Sequence, residues 1–139
     1  MTPAILLRIA SVVAVLQCAA HTVLIVFSSP KHGPEEVAVV EAMKAHKFDF
    51  LGSKRSYWDF YFGYALMAAF VCFVQAVLFW QLAEFADVSQ PLVRAVIALF
   101  LVANVVHALL AWRYFFITPI VPDIVIVVCL ALAFVRAAA

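Results

Sequence analysis

Residues Pro91 to Phe116 read PLVRAVIALFLVANVVHALLAWRYFF. At about 1.5 Å per residue, a helix over this stretch is long enough to cross a hydrocarbon layer of roughly 30 Å. Its first half suits lipid almost throughout, but its second half carries Asn104, His107, Trp112 and Arg113. A charged side chain at the centre of a membrane helix costs roughly 2.5–3.5 kcal/mol on insertion scales, so such groups face a protein interior, pair with one another and mark function. The stretch therefore predicts a membrane crossing and one wall of a site.

The rest of the chain has the same character. Of its 139 residues, 68% are hydrophobic and 12% charged, and the mean hydropathy is +1.12. A water-soluble domain of this size needs far more polar surface. The net charge of +1 excludes a nucleic-acid partner, which calls for clustered Lys and Arg. Cys18, Cys72 and Cys129 fall in three different apolar segments with no Cys-x-x-Cys pair, so no disulfide framework and no thiol redox centre is expected. No glycine-rich phosphate loop or nucleophile elbow is present, which argues against ATP use and serine hydrolysis.

Outward from the third stretch, the expected architecture is an all-α, four-transmembrane-helix bundle forming a single membrane domain over 1–139. The helices are expected at about 3–27, 57–85, 91–116 and 122–137. The first is read as a true crossing rather than a signal peptide. The turn between the second and third contains Asp87 and Ser89, and its shortness makes those helices antiparallel neighbours. Between the first two crossings lies the one long polar segment. Pro34-Glu35-Glu36 opens it with acids, Lys44 and Lys47 close it with bases, and Val37, Val40 and Met43 recur at near-helical spacing. That order suits the helix dipole and predicts a short amphipathic interfacial helix at about 34–47, with Phe48, Phe50 and Leu51 dipping back toward the membrane.

Four crossings gather the unusual residues at one end: Gln17 and His21 on helix 1, Asp59 on helix 2, Asn104, His107 and Arg113 on helix 3, and Asp123 at the head of helix 4. At 100° per residue, Asn104, His107, Ala111 and Tyr114 form one stripe, while Arg113 points some 120° away from His107. Arg113 is thus expected at the rim, snorkelling or in a structural ion pair with Asp123 or Asp59. An imidazole beside a carboxylate suits acid-base chemistry, so His21, Asp59 and His107 are the candidate catalytic residues. Gln17, Tyr61, Gly63, Asn104, Trp112 and Tyr114 are the candidate ligand-binding residues. Gly63 is chosen because it lets a neighbour or ligand approach closely, and the aromatic residues because their rings suit an isoprenoid, sterol or quinone-like molecule. Metal-ligand spacings on one helix are missing, so no metal or cofactor is expected. A metal site, or a b-type haem held by His21 and His107, is an alternative.

The strings YWDFYFGY at Tyr57–Tyr64 and NVVH through WRYFF at Asn104–Phe116 resemble those of a bacterial family of small four-helix integral membrane proteins without an assigned reaction, DoxX-like in broad architecture. The resemblance spans nearly the whole chain. It implies the four-crossing fold and a bacterial inner (cytoplasmic) membrane address, and it carries no catalytic residue.

The functional expectation is a multi-pass membrane protein, in contact with membrane lipid, that binds a small apolar ligand and converts it by acid-base chemistry such as isomerisation. The alternative is a non-enzymatic accessory or scaffold subunit, acting as a homo-oligomer or with a larger membrane partner. Lys31, Lys44, Lys47, Lys54, Arg55 and Arg113 flank the polar end, against Arg8, Arg94 and Arg136 at the other, a bias that places the polar end in the cytoplasm.

Overall fold

The computed structural model describes residues 1–86 and 90–137, so the expected turn residues Asp87 and Ser89 lie outside the described residues. Its elements are α1 (Pro3–His21), extended by a π-helical turn (Thr22–Val26), then α2 (Pro34–Ala45), β1 (Lys47–Phe50), β2 (Ser53–Ser56), α3 (Tyr57–Phe85), α4 (Gln90–Tyr114) and α5 (Ile120–Arg136). The protein is all-α, with five α-helices among the described residues and one small hairpin.

Among the described residues, three helical stretches are long and apolar enough to cross a membrane: Pro3–Val26, Tyr57–Phe85 and Pro91–Tyr114. Four were expected. The remaining helix, α5, has 17 residues and covers roughly 25 Å at 1.5 Å per residue, a little less than a full hydrocarbon layer.

Backbone contacts group the chain into two compact units, Met1–Cys18 with Cys72–Ala139, and Ala19–Val71. In the first unit, helical spacing puts Leu6, Leu7, Ala10 and Ala14 on one side of α1. They join Ala76, Phe79 and Ala83 of α3, Val93 and Ile97 of α4, and Ile126, Cys129, Leu130 and Ala133 of α5 in one buried cluster. Many of these residues are alanine, and small side chains let membrane helices approach closely. Phe79 meets Phe100 edge to face at 5.2 Å between ring centroids. The large apolar side chains on the other faces, among them Leu16, Phe73, Leu99, Val102 and Leu132, point outward, as lipid-facing residues do.

The second unit holds the end of α1, the connector and the first half of α3. Over Thr22-Val23-Leu24-Ile25-Val26, four of which are β-branched, the last turn of the first crossing is wider than an α-helix, and the Phe27 N–H donates to the Thr22 carbonyl five residues back, at 3.1 Å. Residue Pro30 ends the run. In α2, Pro34 occupies the first turn and Glu35 and Glu36 sit at the positive end of the dipole. Val40 and Met43 are half-buried and Val37 is exposed, so the expected apolar stripe is narrow. The Lys44 ammonium lies 4.9 Å from the Trp58 ring centroid, tying α2 to the start of α3.

The hairpin was not expected. Lys47 pairs with Ser56, Phe48 with Arg55, Asp49 with Lys54 and Phe50 with Ser53. Leu51 (φ 54) and Gly52 (φ 82) form the turn, both in the left-handed region that a tight hairpin of this hand requires.

Candidate functional site

Asp123 enters in the first turn of α5, where the unsatisfied N–H groups and the dipole favour a carboxylate. It is 1% exposed, and a buried carboxylate needs hydrogen-bond partners to remain charged. It has two. The Gln17 Nε2 amide of α1 donates to Oδ1 at 2.8 Å. The His107 imidazole of α4 lies with Nδ1 2.9 Å from Oδ2. An ionised carboxylate only accepts, so Nδ1 carries the proton and Nε2 is directed away from Asp123. The His107 side chain is 59% exposed, so the outer edge of its ring is accessible while its inner edge is held.

One turn earlier on α4, Asn104 is buried. Its Nδ2 donates to the Phe100 carbonyl at 2.8 Å and to Gln75 Oε1 at 3.3 Å, and its Oδ1 accepts from Gln75 Nε2 at 3.1 Å. This reciprocal amide pair locks α3 to α4, and it engages the groups that a ligand would otherwise use. Below it, the buried Ser11 hydroxyl donates to the Ala76 carbonyl at 2.7 Å, fixing α1 against α3. Polar contacts of this kind join membrane helices. Together they join α1, α3 and α4, and so the helices that carry Gln17 and His107.

Asp123 and Arg113, read together as rim residues, separate. Asp123 is interior, with His107 as its hydrogen-bond partner, whereas the Arg113 guanidinium carbon lies 5.3 Å from the Tyr114 ring centroid. The reason is angular: Arg113 leaves α4 some 120° from His107, as 100° per residue dictates, and α5 presents Asp123 to the His107 side. Trp112 and Tyr114 are exposed. Trp112 lines an open apolar groove of about 280 Å³ with Val105, Ala108 and Leu109 of α4 and Ile120, Ile124, Val127 and Val128 of α5. The α4 residues of that groove point on average about 150° away from His107. Groove and imidazole therefore occupy different faces of the helix.

His21, Asp59, Tyr61 and Gly63 belong to the other unit. His21 Nε2 donates to the Ala65 carbonyl at 3.0 Å. Asp59 and Ser56 cap α3 reciprocally: the Ser56 N–H donates to Asp59 Oδ2 at 2.8 Å and the Asp59 N–H donates to the Ser56 hydroxyl at 3.2 Å. This is a capping box with Asp in the place of the usual Glu, and it gives Asp59 a structural task. Tyr61 is exposed and packs beside Trp58, with ring centroids 5.4 Å apart. A Cβ on Gly63 would meet no described atom within 4 Å, so this glycine accommodates no close neighbour there.

Among the described residues, no group of three His, Cys, Asp or Glu side chains could hold a metal ion. The chain matches no family model, no curated protein and no solved structure. What defines it is the class of its architecture: an α-helical protein with, among the described residues, three helices long and apolar enough to cross a membrane, consistent with a multi-pass membrane protein.

Proposed function

We propose that the protein binds a small lipid-soluble molecule at His107 and that the imidazole acts on it as a general acid-base group. The observation that carries this reading is the buried Asp123 carboxylate, which receives the Gln17 amide and the His107 Nδ1–H and leaves the outer edge of the ring open. A carboxylate that orients one imidazole nitrogen sets the other to take or give a proton. In this proposal Asp123 and Gln17 position His107, Asn104 and Gln75 hold α4 in register, and Asp59 is a helix cap. The ligand is isoprenoid-, sterol- or quinone-like, because apolar side chains flank His107 on α4. Isomerisation by proton transfer needs no cofactor and fits a site built from an imidazole and a carboxylate.

We assign α5 as a fourth crossing in a bacterial inner membrane. Its support is the contribution of Ile126, Cys129, Leu130 and Ala133 to the common core. Four crossings put both termini on one side, and protease accessibility of terminal tags in sealed vesicles checks this: opposite exposure of the two tags overturns it.

The function is tested by native mass spectrometry and lipid extraction of gently purified protein. The proposal expects a small apolar molecule with the parent chain and its loss from His107→Ala, while helicity and thermal stability persist. Equal content in the two proteins overturns it. A second reading, a non-enzymatic scaffold subunit, draws on the Gln75–Asn104 pair, which is occupied by helix joining alone. Co-purification of one larger membrane partner, lost when outward apolar residues are changed and indifferent to His107, would favour it.

A further inference from the structure

The β-hairpin belongs to the second compact unit. Strand side chains alternate between faces, and the register puts Phe48, Phe50 and Arg55 on one face and Lys47, Asp49 and Lys54 on the other. The Phe48 ring centroid lies 5.3 Å from that of Tyr57, and the Phe50 centroid 4.8 Å from that of Phe60. The strand residue nearer the tip therefore packs on the α3 residue further into the helix. This folds the tip back alongside the first turns of α3, a helix apolar enough to cross a membrane.

At the tip, Leu51 is fully exposed and holds a positive φ of 54. Asn, Asp or Gly would meet that backbone demand with less strain. The turn is nonetheless kept closed, since Asp49 Oδ1 accepts the Gly52 N–H at 2.8 Å. A strained position occupied by a large aliphatic side chain is poorly suited to water and well suited to the acyl boundary of a lipid layer. Lys54 stands opposite Asp49 near the tip, Arg55 is one pair further back and Lys47 is at the base opposite Ser56, while the one acid of the hairpin, Asp49, is occupied by the turn. The hairpin itself thus carries three cations against that one acid. Basic residues near an anionic membrane surface attract it, and their apolar stems lie along the interface.

We propose that the hairpin is an interfacial anchor that inserts Leu51 among lipid acyl chains and holds anionic phospholipid headgroups with Lys47, Lys54 and Arg55. The anchor fixes the start of α3 at the membrane surface, independently of any ligand at His107.

The test uses the full chain in phosphatidylcholine vesicles with and without phosphatidylglycerol. Cys18, Cys72 and Cys129 are changed to Ala, and a nitroxide is attached at Leu51→Cys or, separately, at Lys54→Cys. The proposal expects the ratio of collisions with oxygen to collisions with a water-soluble nickel chelate to be severalfold higher at 51 than at 54. It also expects that ratio to fall when phosphatidylglycerol is omitted or when Lys47, Lys54 and Arg55 are changed together to Gln. Equal nickel access at the two positions overturns the insertion, and so does shielding of 51 from both reagents, which would mean a protein partner covers the tip. A ratio indifferent to phosphatidylglycerol overturns the headgroup contact. Should the labelled chains fail to fold, the unsubstituted chain is irradiated with an acyl-photoactivatable phosphatidylglycerol. Adducts at Phe50 to Gly52 are expected, and their absence contradicts the anchor.

Discussion

The polar groups of the two compact units are satisfied in opposite ways. In the unit containing α4 and α5, the partners are far apart in sequence: Gln17 and Asp123 are separated by 106 positions, Ser11 and Ala76 by 65, and Gln75 and Asn104 by 29. In the unit containing the connector, most partners are close neighbours. Glu36 takes the N–H groups of Lys31 and His32, Asp49 that of Gly52, and Asp59 that of Ser56, over three to five positions. The difference follows from solvent. Water can replace a lost hydrogen bond in the connector, whereas within lipid only another helix can. Long-range polar contacts therefore assemble the helices, and short-range ones shape the ends of single elements.

The sharpest way to break this contrast is Asp123→Ala, which leaves the Gln17 amide and the His107 Nδ1–H without their acceptor. The loss expected is about 1–3 kcal/mol in total, given that His107 is partly exposed, read by unfolding in mixed micelles. Asp123→Asn keeps an acceptor oxygen and is expected to lose less. Unfolding of the Ala variant at the parent midpoint would remove the long-range chain from the account. Next comes Ser56→Ala, in which α3 loses its buried cap hydroxyl. About 1 kcal/mol is expected, confined to faster amide exchange in the first turn of α3, and Ser56→Thr should restore protection.

Smaller still is the amide pair. Asn104→Leu is expected to cost about 0.6 kcal/mol, the typical worth of an interhelical hydrogen bond in a membrane, and adding Gln75→Leu should cost little more, because the partner is already lost. Additive losses in the double variant would show that the two amides act separately. The smallest effect belongs to Glu36. Hydrogen bonds from the His32 N–H and imidazole, and from the Lys31 N–H, hold its carboxyl below the ordinary glutamate value. A depressed carboxylate pKa stabilises the folded form above the unfolded value, and that contribution disappears as the pH falls through the folded value. Acidification below the usual glutamate range should therefore shift the Lys31 and His32 amide resonances and loosen the start of α2. Glu36→Gln should show the loosened spectrum already at neutral pH.

The two kinds of contact also explain what was readable in the chain. The boundaries of α3 are those its hydropathy predicts, because Ser56 caps one end and the apolar run continues to Phe85. The α4 boundaries differ from expectation by one or two residues. The first crossing ends where expected, but its π-helical close has no signature beyond a run rich in β-branched residues. The hairpin escaped because its turn residues are Leu51-Gly52 in place of the Asn-Gly or Asp-Gly that announce such a turn, and because its aromatic residues looked like interfacial residues. In the site, His107 and Gln17 were legible as polar groups in apolar helices. Their joint partner was not: Asp123 follows the interruption between α4 and α5 that contains Thr118-Pro119 and looked like a rim residue, and only the packing of α5 against α4 turns it inward. Asp59 looked like a catalytic carboxylate because the capping box spans β2 and α3, an element boundary that the aromatic run conceals.

The account stands on one hydrogen bond, from His107 Nδ1 to Asp123, and ¹⁵N spectroscopy of selectively labelled histidine in bilayers reads it directly. The expected spectrum of the parent chain has His107 Nδ1 protonated and strongly hydrogen-bonded, with that signature lost in Asp123→Ala and the signal of His21 unmoved. A parent chain whose His107 Nδ1 is bare, or whose His107 signal is indifferent to Asp123→Ala, would contradict it.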